Sequence, residues 1–336
     1  MQNNKKTINV VWLILLPIIF SFAAMCIGRY YIPIDEILES LSSIFGGAVE
    51  GSQQVTTNIL LNTRIPRIIT ALIVGAGLSV AGVAMQAMFS NPLATPDTIG
   101  VAGGAAFGAV LGILISQNSI VIQLMAFCFG LVAVFMTIGI SKISKKPSIV
   151  MIVLSGMIVQ SFFSALISLI KTIADTDTQL PSIVYWLMGS MASANYDKLQ
   201  IGVVTLLIGI IGLYFIKWRL NIIELSEDEA NSLGVNVRKM RILILGFSTL
   251  ITASAVSMCG QIGWIGLLVP HLARMLVGND NSKVVPVSIS LGAVFMLIVD
   301  TLARSILPME IPLSIITAII GTPFFAFLVH KSGGKW

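Results

Sequence analysis

Long apolar runs separated by short polar breaks fill almost the whole chain. A helix needs about 20 apolar residues to cross a lipid bilayer, and somewhat fewer when other helices surround it. The runs predict ten membrane-spanning helices, near residues 8–28, 64–89, 98–116, 119–141, 149–172, 198–216, 240–259, 262–278, 284–305 and 312–330. A further apolar piece, Pro181 to Ser190, is too short to cross and predicts a re-entrant or surface helix.

The first run, Ile8 to Ile27, follows Lys5 and Lys6 and therefore has a second interpretation as a secretory signal. The apolar core of a signal spans only about 7–15 residues and ends at a small-residue cleavage site. This run is longer, and no A-x-A sequence follows it. We therefore expect a first membrane helix.

The composition agrees with these spans. The chain is 56 % hydrophobic and only 10 % charged, with a mean hydropathy of +0.95, whereas a soluble domain carries roughly 25 % charged residues. This excludes a soluble globular protein and predicts an all-α, polytopic membrane protein. No second domain is visible, so we interpret residues 1–336 as a single transmembrane domain.

The net charge of +5 does not require a nucleic-acid partner, because membrane proteins gather Lys and Arg on their cytoplasmic side. With the N-terminus inside, fourteen of the twenty basic residues fall on the cytoplasmic side. The six on the outer side are Arg29, Arg64, Arg67, Lys171, Lys198 and Arg304. The bias predicts that both termini are cytoplasmic.

Small residues recur at helical spacing in two of the predicted spans, as Ala71, Gly75 and Ser79 and as Gly104, Gly108 and Gly112. Such stripes let helix backbones approach closely in lipid, so they predict packing faces. A nucleotide-binding loop is the alternative, but no GxxxxGK[ST] sequence occurs. The three cysteines form no pair with metal or disulfide spacing. We expect no cofactor or metal on this chain.

One polar segment, Trp218 to Arg241, interrupts the apolar pattern, and the predicted topology places it in the cytoplasm. Ser226 and Glu229 have the spacing of a capping box, and Gly234 is a typical helix stop. They predict a short helix from about Glu227 to Leu233. Two interpretations remain open: a solvated connector with good caps, or a stiff element that docks to a soluble partner.

Seven short segments form a specific combination when they are taken together. They are Arg64–Arg67 (RIPR), Gln86–Gly108 (QAMFSNPLATPDTIGVAGGAAFG), Tyr185–Ser190 (YWLMGS), Leu225–Arg241 (LSEDEANSLGVNVRKMR), Gly260–Gly278 (GQIGWIGLLVPHLARMLVG), Asp300–Arg304 (DTLAR) and Gly321–Phe324 (GTPF). In this order they resemble the FecCD/BtuC-like permeases of type II ABC importers, which carry iron–siderophore, haem or cobalamin. The resemblance covers nearly the whole chain from about residue 60.

The resemblance implies ten helices per subunit in a BtuC-like fold and a dimer of permeases in the bacterial cytoplasmic membrane. It also implies two cytoplasmic ATPase subunits, which hold ATP and Mg²⁺, and one extracytoplasmic substrate-binding protein. Residues 220–237 then correspond to the coupling segment that contacts the ATPase. The positions carried over are Ser226, Glu227, Glu229, Ala230, Leu233 and Gly234.

Three outer arginines match positions that the family uses to bind glutamates of the binding protein: Arg64, Arg67 and Arg304. Two structural alternatives stay open. Arginines near a membrane surface extend towards the headgroups, and Arg304 can pair with Asp300 one helical turn earlier.

In the family, the transport pathway runs between two subunits along the fifth helix, the short helix after it and the tenth helix. On this chain the implied pathway residues are Gln160, Ser161, Ser164, Ser168, Trp186 and Met188. A hydrogen-bonding role in the core is the alternative for the polar ones. The implied cytoplasmic gate lies near Pro147 and Ser148. The cargo is expected to be an iron–siderophore, with haem, cobalamin or an oxyanion left open.

Two other classes of function fit less well. A carrier driven by an ion gradient needs ionisable groups within the membrane or broken helices, and Asp300 is the one acid that the sequence places near mid-membrane. An intramembrane enzyme needs a catalytic motif, but no HExxH sequence or nucleophile elbow is present. We therefore expect a permease that is not itself an enzyme.

Overall fold

The computed structural model describes residues 10–43, 54–116, 118–143 and 149–332, which form α-helices and no strand. The predicted gate, Pro147 and Ser148, lies outside the described residues. The helices are α1 (Val10–Cys26), α2 (Ile34–Ser43), α3 (Gln54–Ile59), α4 (Ile65–Phe89), α5 (Val101–Ile115), α6 (Ser119–Ser141), α7 (Ile149–Ile173), α8 (Gln179–Leu187), α9 (Tyr196–Phe215), α10 (Lys217–Ile223), α11 (Glu227–Ser232), α12 (Val237–Cys259), α13 (Ile265–Val277), α14 (Asn281–Ser305) and α15 (Leu313–Ser332).

The apolar helices lie where the sequence predicts them. Six are long and apolar enough to cross a membrane: the continuous helix Gln54–Phe89, together with α6, α7, α9, α12 and α14. The helices α1, α5, α13 and α15 contain shorter apolar stretches at the other four predicted positions. The all-helical membrane fold is confirmed, while the count of ten spans and the cytoplasmic termini stay predictions.

Helix α4 is the centre of the bundle and packs against α9, α12, α13 and α14. It approaches α14 very closely, where Gly75 and Gly292 face each other so tightly that a Cβ on either would overlap the other backbone. Ser79 lies in the same contact and donates its hydroxyl to the carbonyl of Gly75 at 2.7 Å. The predicted stripe on α4 is therefore a packing face, as expected for helices that approach closely in lipid.

Two short segments leave the helical pattern inside the bundle: residues 90–100 and residues 260–264. Pro96 of the first segment packs on Gly266 beside the carbonyl of Leu78. Leu78 lies eleven residues, or about 16 Å, before the C-terminal end of α4 at Phe89. Non-helical backbone is tolerated at that depth only where protein buries it or where it lines a cavity.

Replacing Gly292 with Ala is expected to destabilise the subunit, because the new methyl group would overlap Ser79 and the α4 backbone. Overpacking of this kind costs about 1–3 kcal/mol, which should lower the melting temperature of the detergent-purified protein. Gly246→Ala is the matched control, since a Cβ there meets nothing within 4 Å. Equal melting temperatures for the two variants would contradict the packing argument.

Candidate functional site

The polar segment forms the predicted capped helix. The Ser226 hydroxyl accepts from the Glu229 N–H at 3.4 Å, and the Glu229 carboxylate accepts from the Ser226 N–H at 3.1 Å. The same carboxylate also accepts from the Ser226 hydroxyl at 2.8 Å. These hydrogen bonds, first from the side chain and then from the backbone of Ser226, lower the pKa of Glu229. The capping box is confirmed, and Glu229 is held as a carboxylate.

The helix ends one residue earlier than predicted, at Ser232, with Leu233 as its C-cap. Gly234 adopts a left-handed conformation with φ of 79°, and the N–H of Val235 returns to the carbonyl of Ala230 at 3.0 Å. Ala230 is buried against the subunit, whereas Leu233 is 61 % exposed. The surface that α11 presents therefore combines its acidic first turn with an exposed leucine.

A hydrogen-bond network ties the connection before α11 to the first turn of α14. Asn221 donates to the Asp280 carboxylate at 2.9 Å and accepts from the N–H of Asn281 at 2.7 Å. The fully buried Asn281 then donates to Glu224 at 2.9 Å. On the other side, Glu227 lies 3.6 Å from Arg241 at the start of α12. The polar segment is thus attached to two long helices of the bundle.

The structure brings Arg64, Arg67 and Arg304 together at the opposite end of α4 and α14. Arg67 donates from Nε to Asp300 at 2.8 Å and from its two terminal nitrogens to Glu310 at 2.7 and 3.1 Å. Arg304 lies 3.6 Å from the other oxygen of Asp300, which confirms the geometry of the helical-turn pair. Local sequence patterns gave no signal for Glu310, because it meets Arg67 across 243 residues.

Arg64 and Arg304 cap the end of α1. Arg64 donates to the carbonyls of Met25 and Tyr30, and Arg304 donates to the carbonyl of Ala24. Both guanidinium groups flank Gly28, where an added Cβ would lie about 3 Å from each. The last carbonyls of a helix have no partner within the helix and carry negative partial charge. Two arginines satisfy them here.

All three arginine residues are less than 10 % exposed in the described subunit. Their intrachain contacts support the structural interpretation of these side chains. Docking of a binding protein on them stays a prediction.

The predicted pathway residues separate into three groups. Gln160 and Met188 line a recess of about 490 Å³ with Asp97, Gln261 and Ser314, which we call the Asp97 recess. Trp186 lines a different recess, of about 730 Å³, together with Ser119, Gln179 and Lys198.

The remaining three, Ser161, Ser164 and Ser168, are exposed on the surface of α7 and do not line the Asp97 recess. Ser168 donates its hydroxyl to the carbonyl of Ser164 at 2.9 Å, so it is satisfied within the helix. Sequence reasoning missed Asp97 and Gln261 as recess residues. The signals available were Pro92, Pro96 and Gly100 around Asp97, and Gly260 and Gly263 beside Gln261.

Comparison with known proteins gives a consistent result. The chain matches the FecCD transport family over residues 14–331. It is 41 % identical to the molybdate import system permease protein MolB of Haemophilus influenzae, over 95 % of this chain and 94 % of that protein. It is 37 % identical to a probable iron chelatin transport system permease protein of Helicobacter pylori, over 82 % of this chain and 83 % of that one.

A third relative is the hemin transport system permease protein HmuU of Yersinia pestis, 35 % identical over 82 % of this chain and 84 % of that protein. Among solved structures, a putative metal-chelate type ABC transporter in an inward-facing conformation is 40 % identical, with a TM-score of 0.86. That likeness covers 96 % of this chain and 98 % of the solved one. The chain is a membrane-embedded ABC importer permease that belongs to the FecCD transport family.

Proposed function

We propose that this chain is the permease subunit of a bacterial importer in which two copies form the pathway across the cytoplasmic membrane. Two separate cytoplasmic ATPase subunits hydrolyse ATP with Mg²⁺, and one extracytoplasmic binding protein delivers the cargo. The observation that carries the proposal is α11, a capped helix that the bundle holds rigidly and presents to solvent.

Stiffness is what a coupling element requires, since a flexible connector cannot pass a displacement on. The capping box fixes the start of α11, and the hydrogen bond from Val235 to Ala230 fixes its end. The exposed acidic turn and Leu233 suit a cleft with a basic rim and an apolar floor. This surface is our candidate for ATPase contact. It contains five of the six predicted coupling positions, while Ala230 packs beneath it.

Helix α14 offers a route from that contact across the bundle. Its first turn is bound to Asn221 and Glu224, and its last turns hold Asp300 against Arg67 of α4. Its 25 residues span about 37 Å. A displacement of the polar segment therefore reaches the outer charge cluster through one continuous helix.

The proposed cargo is an iron–siderophore or a similar metal chelate, such as haem or cobalamin. Relatives named as iron chelatin and hemin permeases support it, and so does the metal-chelate type named for the solved transporter. Molybdate is a second candidate, supported by the 41 % identity to the molybdate permease.

Uptake into liposomes tests the function and the cargo together. The permease is reconstituted with its ATPase and binding protein, and entry of ⁵⁵Fe-siderophore and ⁹⁹Mo-molybdate is measured. We expect chelate uptake that requires ATP. Uptake that an imposed ion gradient drives without the ATPase would contradict the proposal, and ATP-driven uptake of molybdate alone would select the second cargo.

Two substitutions in the polar segment distinguish binding of the ATPase from passing its movement on to the bundle. Glu229→Arg removes half of the capping box and reverses a charge on the exposed turn, so co-purification with the ATPase should fall by about tenfold. Glu229→Gln, which keeps the cap, is its control. Undiminished co-purification of Glu229→Arg would count against the docking role of α11.

Asn281→Ala should act differently, because Asn281 is buried and cannot touch the ATPase. It should leave co-purification unchanged and lower transport per ATP by about fivefold, since its hydrogen bond to Glu224 is lost. Asn279→Ala, on the exposed turn two residues earlier, is the matched control. A parallel loss of ATPase binding in Asn281→Ala would show that the network merely supports the fold.

The docking role of the arginines has a direct test at Glu310. If Arg67 attracts an acidic binding protein, Glu310→Gln removes a competing carboxylate that is partly exposed and should tighten association at low salt, with the gain screened at high salt. Asp177→Asn, on the outer turn after α7, is the control. If Glu310→Gln binds the binding protein as the unchanged permease does at every salt concentration, Arg67 has a structural role alone.

A further inference from the structure

The Asp97 recess lies between α7, α8, the start of α15 and both non-helical segments. The short 3-10 turn Pro96–Ile99 forms part of its wall, and residues 261–263 form another part. Gly156 of α7 packs directly on the Thr98 carbonyl, which fixes the distance between α7 and this turn. Asp97, Gln160 and Gln261 therefore line one recess from three different elements.

The recess reaches the middle of the bundle. Pro96, the neighbour of Asp97, lies beside Leu78, about 16 Å from the C-terminal end of α4. Lys171 is the other charged residue in the wall, and it lies eleven residues, or about 16 Å, along α7 from Gln160. The lysine is therefore at the outer end of the recess, and the aspartate is at its deep end.

The amides of Gln160 and Gln261, at the deep end of the recess, are held in place, but not all of their polar atoms have a hydrogen-bond partner. Gly103 leaves space for the Gln160 amide, whose oxygen is buried and has no hydrogen-bond partner among the described residues. Gln261 donates to the carbonyl of Ala102 at 3.2 Å, which fixes its amide at the start of α5. In the described part of the chain, Asp97 has no basic side chain within 4 Å.

A purely structural explanation of Asp97 is that its charge favours the N-terminus of α5, four residues later. The Asp97 side chain does not accept a hydrogen bond from the first N–H groups of α5. Gly100 is the N-cap, and no side chain caps that helix. Asp97 is instead an exposed residue of the subunit and lines the recess. An ionisable group at membrane depth without a cation is expensive to keep unless water or a ligand solvates it.

We propose that Asp97, Gln160 and Gln261 form a binding position within the transport route that accepts cationic or hydrogen-bond-donating groups of the cargo. The position rests on the proposed importer function. The Asp97 carboxylate attracts cations and hydrogen-bond donors and repels anions. The side chains of Gln160 and Gln261 line the same recess and limit its width. This chemistry fits neutral or cationic metal chelates, and it disfavours a free oxyanion.

Charge-selective thiol labelling tests the position without a need for the cargo. The full chain, with Cys26, Cys128 and Cys259 replaced by Ala, carries Gln160→Cys in lipid nanodiscs. Rates of modification by a cationic and an anionic methanethiosulfonate reagent are compared. We expect the cationic reagent to react about tenfold faster, with the preference falling to about twofold when Asp97→Asn is added.

Two further variants keep the test specific. Asp97→Glu should retain the preference, and Asp175→Asn, which changes an exposed carboxylate in the outer turn after α7, should leave it unchanged. No labelling of Gln160→Cys from water, or a preference that persists in Asp97→Asn, would overturn the proposal. Because labelling requires no ATPase, a failure of ATP-driven uptake would bear on the importer function and not on this position.

Discussion

The backbone contact between Gly75 of α4 and Gly292 of α14 fixes the frame on which both ends of the subunit depend. Lipid supplies no hydrophobic drive between helices, so the association rests on close packing and on satisfied polar groups. With the two backbones this near, Arg67 and Asp300 at one end of the pair reach each other. At the other end, α14 begins where Asn221 and Glu224 can bind it. A shift in the central contact would disturb both polar networks.

The charge cluster of Arg64, Arg67, Arg304, Asp300 and Glu310 shows how a membrane protein keeps several charges in a small volume. Arg67 pairs with Asp300 and Glu310, and Arg304 lies near Asp300. Arg64 and Arg304 donate to carbonyls at the end of α1. Those carbonyls would otherwise be unsatisfied near lipid. Such a cluster resists the loss of any one member, because a buried charge without its partner costs about 3–5 kcal/mol. Its strongest constraint is therefore on the fold, whatever partner approaches it.

The sequence was most informative where the cause of structure is local. The positions of the apolar helices follow from run length, and the caps of α11 follow from Ser226, Glu229 and Gly234 within nine residues. Local spacing also indicated the pair of Arg304 with Asp300. The other contacts of the arginines could not be read in this way, because those partners come from the end of α1 and from the turn before α15. Asp97 was missed for a related reason: local sequence indicates a break in the helix but not its depth. Depth is set by the packing of Pro96 on Gly266, 170 residues away.

The two non-helical segments, residues 90–100 and 260–264, place polar groups inside the bundle, which regular helices do not do. A regular helix uses its backbone N–H and C=O groups internally, so an apolar bundle offers a polar cargo little to bind. At residues 90–100 and 260–264 the chain leaves that pattern and places side chains of Asp97 and Gln261 beside Gln160. The segment between α10 and α12 does the opposite, because the capping box and the bond from Val235 to Ala230 close both ends of α11. In the proposed importer, the irregular backbone therefore supplies polar side chains for the cargo, and the capped helix supplies a stiff surface for the ATPase.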